Sequence, residues 1–84
     1  MKTHSKRWKH MIKCRLSILM AERGIRSVAE LARQLEERNL YISRQALQRI
    51  YHHDNLEKTR LETIIKLAVF FNCELKDLFV WDTK

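Results

Sequence analysis

Ser43-Arg44-Gln45-Ala46-Leu47-Gln48-Arg49-Ile50-Tyr51 has two chemically opposite sides when it is wound as a helix. At about 100° per residue, Arg44, Gln45, Gln48 and Arg49 spread over roughly 140° of one side, while Ala46, Leu47, Ile50 and Tyr51 take the other. The second side needs a protein core. The first carries the two side-chain types whose donors best match base edges in a DNA major groove: Arg forks onto guanine O6 and N7, and Gln pairs bidentately with adenine N6 and N7. An amphipathic surface helix ordinarily carries Lys, Glu and Asp outside, so an outer face of Arg and Gln without an acid is suggestive. By itself that face also fits a plain solvated surface, and its surroundings must decide.

The flanks of this stretch are built to start and stop a helix. Ser43 supplies a capping hydroxyl, and Ile42 ahead of it is placed to pack back as a hydrophobic staple. The polar run His53-Asp54-Asn55 reads as the following loop. Upstream, Ser27 with Glu30 has capping-box spacing and opens a helix whose inner face is Val28, Leu31, Ala32 and Leu35. Asn39 is its expected left-handed terminator. Before that, Ile12, Leu16, Leu19 and Met20 share one face of a helix expected over residues 8–23, closed by Gly24. Downstream, Thr59 with Glu62 repeats the capping spacing. The helix it opens has Leu61, Ile64, Ile65, Leu67, Ala68 and Phe71 as its expected buried face, with Val69 and Phe70 largely outside it. Asn72 closes that helix, and a short fifth one runs through Leu75, Leu78 and Phe79. With no proline and one glycine, hairpins and long loops are poorly supported. The reading is a compact all-α domain of five helices.

Composition narrows the function. A chain of 84 residues forms one domain with a small stability margin. The net charge is +7, and Lys2, Lys6, Arg7, Lys9, Lys13 and Arg15 stand among the first 15 residues with no acid. Residues 16–84 hold eleven basic against ten acidic residues, a net of +1. Such a patch favours a polyanion, of which nucleic acid is the commonest inside cells; a merely solubilising N-terminus is the alternative. Cys14 and Cys73 have no metal-ligand spacing and read as apolar fillers. No signal-peptide pattern or membrane-length apolar run is seen, so a cytoplasmic protein with reduced thiols is expected, nucleoid-associated where its polyanion is DNA. His52 and His53 are adjacent, which does not aim two imidazoles at one metal from a helix. No nucleophile turn or phosphate loop points to catalysis. The expectation is therefore no enzyme, cofactor, metal or small-molecule substrate.

Taken in order, Arg15-Leu16, Leu19-Met20, Glu22-Arg23-Gly24-Ile25, Glu30-Leu31-Ala32, Ile42-Ser43-Arg44-Gln45, Leu61–Ala68 and Asn72–Phe79 resemble the lambda-repressor-like, Cro-type helix-turn-helix family. The resemblance implies a basic arm over residues 1–10 that includes the start of helix one, a DNA-binding domain over 11–79 and a tail over 80–84. It implies a transcriptional regulator of a bacterium or mobile element such as a phage or plasmid, usually a repressor that binds double-stranded DNA as a homodimer on an inverted-repeat operator. Matched by position, Arg44, Gln45 and Arg49, with Gln48 beside them, are the base-contacting residues. Ser43 lies at the helix start that can receive a phosphate, and Arg26, Ser27, Lys6, Arg7 and Lys9 are further phosphate candidates. This chain departs from the family twice. About five residues are inserted between Ala32 and Ser43: either the second helix gains about one turn and the connection lengthens with both helices still packed, or the crossing angle changes and the recognition helix points elsewhere. Val28 replaces a polar residue that often touches phosphate. Val69, Phe70, Val80 and Trp81 either complete the core or form an apolar dimer interface. The competing class is an interaction module such as an antitoxin or anti-regulator, which would hold a regulatory protein partner.

Overall fold

The computed structural model describes residues 12–81. Five α-helices, α1 Leu16–Glu22, α2 Val28–Glu37, α3 Arg44–Tyr51, α4 Leu61–Phe71 and α5 Leu75–Leu78, are accompanied by a 3-10 turn at Leu56–Lys58 and by two short strands, β1 Ile12–Cys14 and β2 Phe79–Trp81. The five expected helices are present, but the all-α description needs correcting by this small sheet.

The strands pair antiparallel, with Ile12 opposite Trp81, Lys13 opposite Val80 and Cys14 opposite Phe79. The pairing continues one step inward, where Arg15 N donates to Leu78 O at 2.8 Å and the Arg15 guanidinium reaches Asp77 O at 3.3 Å. Helix α1 therefore begins at Leu16. Ile12 and Leu16, four apart, fit one helix face, but they fit equally a strand that turns inward ahead of a helix. The β-branched and aromatic run Phe79-Val80-Trp81 supplies the partner that makes the strand win. Val80 and Trp81, expected in a tail, are the last two residues of β2. A two-stranded sheet is marginal alone; here Cys14 is buried and Phe79 packs against the core.

The four longer helices end in the same way. Gly24, Asn39, His53 and Asn72 all have positive φ, and beyond each the chain folds back. Ile25 N donates to Met20 O at 2.9 Å, Leu40 N to Leu35 O at 2.8 Å, Asp54 N to Arg49 O at 2.8 Å and Cys73 N to Ala68 O at 3.0 Å. These six-to-one bonds satisfy carbonyls that the helices leave open. His53 was expected only as loop. Histidine tolerates the left-handed region better than most residues, and its Nε2 accepts Cys14 N–H at 3.2 Å. That bond ties the end of α3 to β1.

Two serines start helices as expected. Ser27 Oγ accepts from Glu30 N at 3.1 Å and Ser43 Oγ from Ala46 N at 3.2 Å. The return half of the first capping box is shifted: Glu30 Oε1 accepts from Arg26 N at 3.3 Å, one residue before the cap. Helix α4 departs further, since its N-cap is Arg60 with no side-chain bond rather than Thr59. Ser27→Ala is expected to cost about 0.5–2 kcal/mol, whereas Ser27→Gly should cost only a few tenths of that unit. Urea unfolding of the two variants checks the ranking, and an Ala variant as stable as the parent would exclude a capping role.

Leu16, Leu31, Leu35, Leu47, Ile50, Leu67 and Leu78 are almost wholly buried and draw every helix onto one core. Cys14 belongs to it, and burial pushes its thiol up to about 11, partly offset by a hydrogen bond to the Leu16 backbone. On α4 the expected face is corrected. Leu61 and Ile65 are exposed, while Phe70 is 3% exposed. Helix α4 is apolar almost all round, so periodicity does not choose its inner side. The choice falls on Leu67, Phe70 and Phe71. The Phe70 and Phe71 rings meet edge-on at 4.9 Å, and Arg23 lies 5.5 Å from each centroid and Arg38 5.4 Å from that of Phe70. Phe70 thus leaves the set of surface residues expected to form an interface.

Candidate nucleic-acid interface

Helix α3 turns Arg44, Gln45, Gln48 and Arg49 to solvent and Leu47 and Ile50 into the core, with Ala46 half-buried. Tyr51, assigned to the inner side, is at the surface instead, where its ring meets His52 edge-on at 5.3 Å. At about 100° per residue it stands only about 20° from Arg44, at the edge of the outer face, while Ile50 beside it is buried. Along the outer face a shallow concavity of about 420 Å³ runs past Arg44, Gln45, Gln48 and Arg49 to His52 and Asp54. Gln48 Oε1 is 3.1 Å from His52 Nε2. The face therefore offers forked guanidinium donors and amide donor–acceptor pairs, with one acid, Asp54, at its far end.

The segment between Ala32 and Ser43, expected to hold an insertion, folds into regular structure. Helix α2 extends to Glu37, Asn39 reverses the chain, and Ile42 is buried before Ser43 caps α3. Helices α2 and α3 remain packed together. Arg33 and Glu37 form an exposed i, i+4 ion pair at 3.0 Å on the lengthened helix. Val28 is buried, while Arg26 and Ser27 at the start of α2 are exposed. Lys6, Arg7 and Lys9 lie outside the described residues.

A second basic feature was not anticipated. The start of α3 and the start of α4 enclose a cleft of about 500 Å³, to which Arg49, Lys58, Arg60 and Lys66 contribute cations and Ser43 and Thr59 contribute hydroxyls. Glu62 is its one acid and pairs with Lys66 at 3.2 Å. Anionic oxygens are the groups such a lining receives. The sequence signal was Lys58-Thr59-Arg60 ahead of a helix, but its closeness to α3 depends on tertiary packing.

A family model of the Cro/C1-type HTH DNA-binding domain matches residues 15–84. The chain belongs to that family. As a Cro/C1-type domain it is a DNA-binding module of transcription regulators, a binding fold rather than a catalytic one. No individual curated protein matches the chain. In this Cro/C1-type domain the matched segment holds α1 to α5 and β2. Among the described residues, no helix is long and apolar enough to cross a membrane, and no cluster of three or more His, Cys, Asp or Glu is placed to hold a metal ion.

Proposed function

We propose that this Cro/C1-type domain acts as a sequence-specific repressor in a bacterium or mobile element, binding an inverted-repeat operator as a homodimer. The observation that carries the reading is the outward face of α3: four exposed Arg and Gln side chains on a helix held from behind by Leu47 and Ile50. In this reading Arg44, Gln45, Gln48 and Arg49 meet base edges, and the Ser43 end of α3 meets phosphate. Arg26 and Ser27 at the start of α2, and Lys58 and Arg60 in the cleft, hold the flanking backbone. The arm residues Lys6, Arg7 and Lys9 add charge contacts to the backbone.

The dimer rests on apolar surface. Leu61, Ile65 and Val69 are exposed and four residues apart, which sets them in one stripe along α4. The stripe borders a groove with Ala68 and Leu75, and Ile64 on the same helix borders another with Ile12, Val80 and Trp81. A ridge flanked by apolar grooves can pack against its own copy about a two-fold axis. Val69, Val80 and Trp81 stay in this interface, and Leu61, Ile65 and Leu75 join them. The same stripe is the observation that favours the second reading, an antitoxin-like or anti-regulator module holding a different protein.

Selection from a random duplex pool tests the function. The expected result is an enriched inverted repeat with half-site centres about 34–36 Å apart, one turn of DNA. Val69→Glu with Trp81→Glu should sediment as a monomer and lose most of the affinity for that repeat. A pool without enrichment would exclude sequence-specific binding. A parent chain that is monomeric at high concentration, yet forms a tight protein complex indifferent to Arg44→Ala and Arg49→Ala, would favour the second reading.

A further inference from the structure

Tyr41 is the one aromatic side chain of the α2–α3 connection, and it faces solvent: it is 59% exposed, whereas Ile42 beside it is buried and Leu40 packs against the core. The exposure is not that of a loose loop. Asn39 sets the turn with φ 61°, and Leu40 N is bonded to Leu35 O at 2.8 Å. Tyr41 O itself accepts from Lys66 Nζ of α4 at 2.8 Å. Lys66 is in turn held by Glu62 at 3.2 Å and its side chain is only 27% exposed. One residue later, buried Ile42 locks the chain again ahead of the Ser43 cap. The ring therefore projects from a backbone fixed on both sides.

Its position is chemically uneven. On one side Tyr41 borders the cleft that contains Ser43, Arg49, Lys58 and Arg60. On the other it borders a second concavity where Arg33 and Arg44 are balanced by Glu30 and Glu36, so the excess of cations lies on the side of the first cleft. Among the described residues its hydroxyl has no hydrogen-bond partner. A phenol O–H is a donor suited to an acceptor-only phosphate oxygen, and the ring offers flat apolar area to a deoxyribose. Preorganisation lowers the entropy cost of using it.

We infer that Tyr41 is a DNA-backbone contact, donating its hydroxyl to a phosphate that flanks the bases read by Arg44 and Gln45. The inserted residues between α2 and α3 thereby act as an added wall of the binding surface rather than a neutral spacer. This inference rests on the DNA-binding reading above. A phosphate contact positions the duplex without reading its sequence, so the effect must be uniform across sequences. Because Tyr is uncharged, it must also leave the salt dependence in place.

The probe is the duplex most enriched from the random pool, together with versions carrying single base-pair changes. Tyr41→Phe and Tyr41→Ala are each expected to weaken all of these duplexes by a common factor of about 10 or more, as for a hydrogen bond to a charged group, with an unchanged slope against salt. Neutral methylphosphonate at one backbone position should weaken the parent chain and leave Tyr41→Phe unaffected. Both variants binding like the parent, while Arg44→Ala binds poorly, would overturn the inference and leave the DNA reading intact. A changed preference at one base pair in Tyr41→Phe would overturn the phosphate assignment. If Arg44→Ala also binds like the parent, the underlying reading and this inference fall together. Tyr41→Phe keeps the test open should Tyr41→Ala fold poorly.

Discussion

Leu47→Ala is expected to lower the unfolding free energy by about 2–5 kcal/mol, the usual cost of emptying a leucine site in a packed interior. Leu47 is 0% exposed and lies on the side of α3 opposite Arg44 and Gln45. A domain of 84 residues has a total stability of only about 4–13 kcal/mol at ordinary values per residue. The substitution would therefore remove a large fraction of it. Urea unfolding should show a lower midpoint with an unchanged slope. Leu61→Ala is the matched control, because Leu61 is 63% exposed; its change should stay within about 0.5 kcal/mol. Equal effects at the two leucines would mean that α3 is not seated on the core as described.

This asymmetry between two leucines also marks what the sequence could convey. Local signals were legible: Ser27 and Ser43 as caps, Gly24, Asn39 and Asn72 as terminators, and Leu31, Leu35, Leu47 and Ile50 as inner residues. Each depends on neighbours within a turn or two. The sheet was not legible because Ile12–Cys14 pairs with Phe79–Trp81 across nearly the whole chain. His53 was missed for a related reason, since the Cys14 N–H that supports its left-handed backbone is 39 residues away. The orientation of α4 was missed because Leu61, Ile65, Val69 and Phe70 are all apolar, and only the position of the neighbouring helices separates them. For the candidate interface, the Arg and Gln face of α3 was readable from its spacing. The cleft with Lys58 and Arg60 was not, because it is formed where two helix starts meet. The insertion was visible as a count of residues, yet its consequence, a bound and outward-facing Tyr41, follows from Lys66 on another helix.

Arg44→Ala and Gln45→Ala are each expected to reduce affinity for a single half-site by about 1–3 kcal/mol, the discrimination that one bidentate side-chain contact supplies. Both side chains are exposed, so thermal unfolding should be little changed and the loss belongs to binding. Each variant should also become indifferent to one base pair, at which the parent distinguishes all four possibilities. Arg60→Ala supplies the contrast. As a phosphate contact it should weaken every duplex alike and reduce the slope of log affinity against log salt by about 1. The two-fold arrangement adds a quantitative check, because a dimer carries the substitution twice. A factor lost on a half-site duplex should appear squared on the inverted repeat once both sites are filled by one dimer. Equal factors on the two duplexes would mean that only one α3 engages DNA. If Arg44→Ala and Gln45→Ala both bind the selected duplex like the parent, α3 is not the recognition helix. The outward Arg and Gln face would then be solvated surface, and the cationic cleft beside α4 would be the place to look for the contact.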